Sequence, residues 1–344
     1  MSPLTTSIIL SSLATGTIIT ASSFHWLMAW IGLEINTLAI IPLISKMHHP
    51  RSTEAATKYF LTQAAASALI LFSSTMNAQL TGSWDITHLT SMQSATLLTM
   101  ALAMKLGLAP THFWLPEVLQ GSTMLSALII TTWQKLAPMT LLYLTVNNMP
   151  TVLLLSLGIL STLIGGWGGL NQTQTRKIMA YSSIAHLGWI TAVSQMQTNI
   201  LCLNLMLYLI FTTTMFLTLI MSNSKTIKDT TTLWTTSPAL TITMALTLIS
   251  LGGLPPMSGF IPKWLVMEEL TNQNLMLITT LLALSSLLSL FFYLRLTYTT
   301  TLTLAPNTTT SKHTWRFKPN TPTNLMTTLT PISLFLLPMT PLLL

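Results

Sequence analysis

The stretches LGLAPTHFWLPEVL at 106–119 and LGGLPPMSGFIPKWLV at 251–266 decide how this chain folds. Each sets glycine after an apolar run, brings in proline a few residues later, and resumes the apolar run behind another proline. Proline inside a helix removes a hydrogen bond and clashes with the carbonyl four residues back, so each stretch predicts a helix that stops and restarts. The runs that hold them, 94–120 and 237–270, are too long for one straight crossing of a bilayer, which takes about 20 residues. The two stretches read as copies of one motif, five spans apart. Matching broken helices in two halves mark a transporter-type repeat, and an odd spacing inverts one half against the other.

Outward from these breaks, the composition admits only a membrane protein. Of 344 residues, 6% are charged and 50% are apolar, with a mean hydropathy of +0.63, whereas a soluble domain carries about 25% charged residues. Eleven apolar runs stand between polar punctuation, approximately 3–22, 25–45, 56–80, 94–120, 122–146, 150–170, 174–195, 200–222, 237–270, 275–301 and 323–343. Threonine dilutes their hydropathy, but its hydroxyl can bond back to the carbonyl one turn earlier and so tolerates lipid depth. The expected fold is an all-α polytopic membrane protein with about eleven transmembrane helices and two discontinuous ones. It forms a single domain over 1–344, with inverted repeats approximately at 1–146 and 150–301 and a C-terminal helix at 323–343.

The net charge of +7 does not point to nucleic acid, because the 14 lysines and arginines form no stripe with interleaved aromatics. Lys46, Arg51, Lys58, Arg176, Lys177, Lys225, Lys228, Lys312, Arg316 and Lys318 all fall at connections after even-numbered spans, and the opposite connections carry no Lys or Arg. By the positive-inside rule the basic side is the matrix or cytoplasm, which puts the N-terminus there and the C-terminus on the far side. Met1 to Ser23 has neither the basic n-region of a signal peptide nor the Arg-rich amphipathic pattern of a mitochondrial presequence, and it reads as a first span. The heavy use of Thr, Leu and Met is shared with proteins made inside animal mitochondria. One cysteine, Cys202, leaves no internal disulfide and no iron-sulfur or zinc site of cysteines within the chain. No nucleotide or metal motif is present. GGWGG at 165–169 lacks the strand and the Lys-Ser/Thr of a phosphate loop and suits close helix packing. The glycosylation-like triplets at Asn171 and Asn307 fall on the basic side, where glycosylation is not expected.

A few charges are left inside the spans. Glu34 lies halfway along WLMAWIGLEINTLAIIPLI, where a charge costs about 2.5 to 3.5 kcal/mol on insertion scales. Its bland reading is a neutral acid bonded to a neighbouring helix; intramembrane ionisable groups are functional by default. Lys105 stands just before the first break, where freed carbonyls favour an ammonium, and Glu34 is its natural counter-charge. Lys135 sits mid-span in SALIITTWQKLAPMTLLYL, and Lys263 follows the second break. Each lysine could simply snorkel, least plausibly Lys105 and Lys135, which are farthest from an interface. Arg295, near the basic end of its span, reads as snorkelling or as a lipid-headgroup contact. His186 within the seventh span and His112 inside the first break can each relay a proton or merely bond a neighbour. Glu117, Glu268 and Glu269 lie toward span ends, where they could assist proton uptake and release.

KLGLAPTHFWLPEVLQGS with Lys105, QTRKIMAYSSIAHLGW with His186 and SLGGLPPMSGFIPKW with Lys263 resemble, in order and spacing, the antiporter-like subunits shared by respiratory complex I and multisubunit sodium/proton antiporters. The resemblance covers nearly the whole chain, and the span count is similar to the animal form, which lacks three N-terminal spans of bacterial relatives. It implies a membrane-arm subunit of the mitochondrial inner membrane that couples electron transfer from NADH to ubiquinone with proton translocation. Glu34 would gate Lys105, Lys135 would connect, and Lys263 would be the terminal proton carrier. NADH, FMN, iron-sulfur clusters and ubiquinone would belong to the wider complex, with no cofactor in this chain. Partners would be other membrane-arm and accessory subunits and inner-membrane phospholipids, cardiolipin among them. A lysine exchanges protons near neutral pH only if its surroundings take away roughly 4 kcal/mol of its preference for the proton. Two other readings are a stand-alone cation/proton antiporter, which should supply more buried carboxylates than Glu34, and a structural anchor, which would not require broken helices and buried lysines.

Overall fold

A computed structural model describes residues 2–303 and 323–340. Asn307, Lys312, Arg316, Lys318 and the end of the C-terminal span lie outside the described residues. Within them the chain forms helices and no strand. The helices are α1 (Pro3–Ser22), α2 (Trp26–Ile44), α3 (Pro50–Thr81), α4 (Met92–Leu106), α5 (Trp114–Gly121), α6 (Met124–Thr131), α7 (Trp133–Thr145) and α8 (Thr151–Gly169). Then come α9 (Thr175–Val193), α10 (Thr198–Ser222), α11 (Ile227–Thr231), α12 (Leu233–Thr236), α13 (Pro238–Gly252), α14 (Phe260–Asn272), α15 (Met276–Thr301) and α16 (Asn324–Phe335). Two compact units emerge, Met1–Ser161 with Ile190–Thr198, and Thr162–Trp189 with Asn199–Leu344.

Among the described residues, six helices are long and apolar enough to cross a bilayer: α1, α2 with the turn after it, α3, α8, α10 and α15. Their outer faces carry large apolar side chains that the chain itself leaves uncovered, such as Leu4, Ile8 and Ile18 on α1 and Leu277, Leu284, Leu287 and Phe291 on α15. Patches of that extent do not persist in water and suit lipid. The threonines behave as the sequence predicts. Thr17 and Thr20 donate to the carbonyls of Ala14 and Thr17 at 2.8 Å, and Thr218 to that of Met215 at 2.7 Å, so their hydroxyls ask nothing of lipid.

Glycines bring the helices together. A Cβ on Gly32 of α2 would stand 2.6 Å from Thr20 Cγ2 and 2.8 Å from the Gly16 carbonyl of α1, so the two backbones touch and α2 is held firmly where Glu34 sits. In the second unit the GGWGG run packs as expected: Gly165 faces the Ala185 backbone of α9, and Gly166 and Gly169 face Leu288 and Phe292 of α15.

Helix α4 ends where Gly107 takes φ +78°, with the N–H groups of Gly107 and Leu108 both on the Ala103 carbonyl at 2.9 Å, and Pro110 keeps it from resuming. Helix α13 ends the same way at Gly253, φ +74°. Each following helix carries proline in its first turn, Pro116 in α5 and Pro262 in α14, where no intrahelical N–H bond is lost. One element differs from the sequence reading. The run 122–146, expected as a continuous span, is split at Thr132, which turns to φ −109°, ψ −72° between α6 and α7. Three donors crowd the Leu128 carbonyl: the Thr132 N–H at 3.0 Å and the hydroxyls of Thr131 at 3.1 Å and Thr132 at 2.7 Å. Such back-bonding bends helices.

Outside the spans, α11 starts with a capping box. Burial disfavours the Asp229 carboxylate, but N–H groups of Thr226 at 2.8 Å and Lys225 at 3.0 Å, the Thr226 hydroxyl and the Lys225 charge outweigh that and hold it below its ordinary range. A depressed carboxyl adds stability that is present above the unfolded-state value near 3.8 and lost as pH falls through the lower folded value. Asp229→Ala is expected to cost about 0.5–1 kcal/mol, at the low end because solvent screens the group. The loss should show as a lower midpoint of thermal unfolding at pH 7 that converges with wild type in acid.

Candidate functional site

The first unit gathers its buried charge around the end of α4. Lys105, in the last turn, is 5% exposed, and its Nζ has no hydrogen-bond partner among the described residues. Glu34 of α2 is half-buried with Oε2 likewise unpartnered, and it interacts electrostatically with Lys105 and with Tyr59 of α3. Lys135, 3% exposed at the start of α7, is brought to the same place by the split at Thr132. Lys105 and Lys135 line one cavity of about 10 Å3 together with Tyr59, Gln63, Trp114, Ile130 and Gln134. That is room for a single water molecule, which needs roughly 10–15 Å3 and two to four polar partners. Gln63 presents an unpartnered Nε2 there. The Trp114 indole, across the break, donates to the Met104 carbonyl at 3.1 Å and so stops one of the helix-end carbonyls from competing for Lys105.

Gln134 ties this cluster to the acid's helix. Its amide donates to the Asn36 carbonyl of α2 at 3.2 Å, two residues past Glu34, and its Oε1 accepts from the Tyr59 hydroxyl at 3.4 Å. Tyr59, Gln63 and Gln134 escaped the sequence reading, which looked for charge. Their signal was weaker: an amide or phenol within an apolar run.

His112 is buried inside the first break, its Nδ1 without a hydrogen-bond partner among the described residues and its ring 4.3 Å from that of Phe113, but it does not line the lysine cavity. Glu117 is exposed and pairs with Lys58 at 2.6 Å, as does Glu54, which fastens α5 to the start of α3.

The second unit holds its own lysine differently. Lys263, 8% exposed on α14, donates to the Gly252 carbonyl at 2.6 Å, so its ammonium caps the C-terminal end of α13. A Cβ at Gly253 would stand 2.9 Å from that Nζ, so glycine there clears the lysine as well as ending the helix. His186 of α9 lies with its Nε2 3.4 Å from the Tyr293 hydroxyl of α15 and its ring 5.9 Å from that of Tyr208 on α10. Arg295, read as snorkelling, instead donates to the carbonyls of Leu170 and Gln172 just past α8. It is a helix-end clamp. Glu268 is exposed and Glu269 partly so. The sequence-predicted residues thus form two groups, Glu34, Lys105 and Lys135 in one unit and His186 and Lys263 in the other.

Comparison with known proteins identifies the family. The family described as NADH:quinone oxidoreductase/Mrp antiporter, TM, matches residues 23–289, and that described as NADH dehydrogenase subunit 2 C-terminus matches 290–344. The chain is 57% identical to NADH-ubiquinone oxidoreductase chain 2 of Xenopus laevis over 99% of both chains. Among solved structures, it resembles a chain of respiratory complex I from Thermus thermophilus with a TM-score of 0.82 at 26% identity, covering 96% of this chain and 78% of that one. A chain of the archaeal membrane-bound sulfane sulfur reductase shares the fold, with a TM-score of 0.86 at 18% identity over 97% of this chain and 73% of that one.

Proposed function

The chain belongs to the NADH:quinone oxidoreductase/Mrp antiporter transmembrane family, in its NADH dehydrogenase subunit 2 branch, and from that premise we propose that it works as a core membrane-arm subunit of mitochondrial NADH-ubiquinone oxidoreductase that moves protons through its buried lysines. The observation that carries this reading is Lys105: nearly fully buried, unpartnered at Nζ among the described residues, in electrostatic reach of Glu34 and sharing a cavity with Lys135. A structural lysine would be expected to end in a hydrogen bond, because an unsatisfied buried group costs about 1–3 kcal/mol or more.

The mechanism follows from those contacts. While Glu34 stands by, its carboxylate stabilises the Lys105 ammonium; when the acid is drawn away, the ammonium is left in a low-dielectric site and gives its proton up. The cavity offers the route, since Lys105, Gln63 and Lys135 line it together and it has about the volume of one water. Moving a charge against the membrane potential costs roughly 2.3 kcal/mol per 100 mV, within the range that adding or removing a buried counter-charge supplies. Lys263, held by Gly252 in the second unit, is the terminal carrier in this reading, and His186 and His112 are relays.

The same reading takes the chain as eleven spans in two inverted repeats at 1–146 and 150–301, with α4/α5 and α13/α14 as discontinuous spans, the N-terminus in the matrix and the C-terminus in the intermembrane space. Redox chemistry belongs to the wider complex, where NADH, FMN, iron-sulfur clusters and ubiquinone act, and cardiolipin is among the lipids at the surface. A stand-alone cation/proton antiporter fits less well, because Glu34 is the one carboxylate deep in a span among the described residues, too few to replace the water around sodium.

Glu34→Gln tests the reading. It keeps size and hydrogen bonding but removes the counter-charge, so protons pumped per NADH oxidised in reconstituted vesicles should fall to less than half while the complex assembles normally. Unchanged pumping would remove Glu34 from the path.

A further inference from the structure

Tyr293 is 2% exposed, and the residue before it, Phe292, already supplies the apolar packing against Gly169. A phenol adds a hydroxyl whose burial costs free energy unless it is bonded. That hydroxyl lies 3.4 Å from His186 Nε2 on α9, and the Ser182 side chain one turn earlier interacts with it. Ser182 donates its own proton to the Met179 carbonyl at 2.7 Å, which leaves its oxygen free to accept. The Tyr293 proton therefore has two acceptors within reach, and which one it takes depends on His186. A neutral imidazole that carries its proton on Nδ1 accepts at Nε2 from the Tyr293 O–H. An imidazolium donates at Nε2, so the Tyr293 oxygen accepts and its proton turns to Ser182. In both charge states the Tyr293 hydroxyl keeps a partner.

The other side of the same residue touches the lysine's seat. A Cβ built on Gly252 would meet Tyr293 Cδ2 at 3.9 Å and Cβ at 4.0 Å, so the tyrosine backs the residue whose carbonyl holds Lys263. We propose that Tyr293 is a positioning residue that joins the two proton-handling groups of the second unit, its hydroxyl turning between His186 and Ser182 as the imidazole gains and loses a proton while its ring supports the carbonyl that holds Lys263. This rests on the proton-path reading above and adds to it a residue and a direction of coupling.

The experiment is a double-mutant cycle in the assembled complex, with protons pumped per NADH as the readout. Tyr293→Phe keeps the ring and its packing and is expected to lower the ratio, because it removes the hydroxyl that meets His186. In a His186→Ala background the same change should add nothing, because the hydroxyl acts through the imidazole. Ser182→Ala, which keeps the tyrosine, should give a loss of the same kind. An unchanged ratio in Tyr293→Phe, or an equal loss with and without His186, would overturn the proposal and leave Tyr293 a packing residue. Lys263→Met run in parallel reports on the parent reading: pumping that survives it defeats the path through this unit, whereas pumping lost there but kept in Tyr293→Phe defeats only the positioning role.

Discussion

Lys105→Met is expected to abolish most proton pumping while leaving the complex assembled. Methionine follows the course of the lysine stem, so the walls given by Trp114 and Ile130 keep their contacts. What goes is an Nζ that is buried without a hydrogen-bond partner among the described residues. Removing such a group relieves a penalty of about 1–3 kcal/mol, which offsets the cost of leaving Glu34 without its counter-charge. The cavity then keeps Lys135 but loses the group that answers to Glu34. Proton translocation per NADH, measured in vesicles beside the amount of assembled complex, should drop to near background, and NADH oxidation should slow with it if coupling is tight. Full pumping in a normally assembled variant would make Lys105 a structural residue and reopen the anchor reading.

The second large effect is of the opposite kind, a loss of structure from one methyl group. Gly259 opens α14 at φ −68°, a conformation open to any residue, so its conformational freedom is not the point. Its hypothetical Cβ coincides with the Ser250 carbonyl oxygen on the last turn of α13. That atom is backbone and cannot rotate aside, and overpacking of this sort costs about 1–3 kcal/mol or more. Gly259→Ala is expected to destabilise the chain by about 3 kcal/mol and to remove most assembled complex from a native gel. Gly252→Ala is the control, since its nearest neighbours are Tyr293 atoms at 3.9 Å and beyond, and it should assemble. Normal assembly of Gly259→Ala would mean that α13 and α14 do not meet as described.

How much could be read beforehand depended on whether a residue's behaviour is set by itself or by its neighbours. Gly107 and Pro110, and Gly253, Pro255 and Pro256, act by their own backbone geometry, so both helix breaks were legible. A charge within an apolar run announces itself in the same way, as Glu34 and Lys105 do. Thr132 was not legible, because no one residue splits that run; it splits because three donors converge on the Leu128 carbonyl. Arg295 was misread for a related reason: its place near a span end suggested the lipid surface, but the carbonyls past α8 that it clamps come from residues more than a hundred positions away. Gln134 and Tyr293 carry no charge, and their importance lies wholly in what stands beside them.

Lys263 shows a consequence of placing a titratable group on a helix end. Its ammonium and the Gly252 carbonyl complete each other, so the proton it carries is also the fastener of α13 at the break. Let the proton go, and the lysine's hold on that carbonyl weakens, while the helix end must settle against something else. On the proposed proton path, an electrical event at one nitrogen would be a mechanical event for a whole segment, and a push on the segment would in turn loosen the proton.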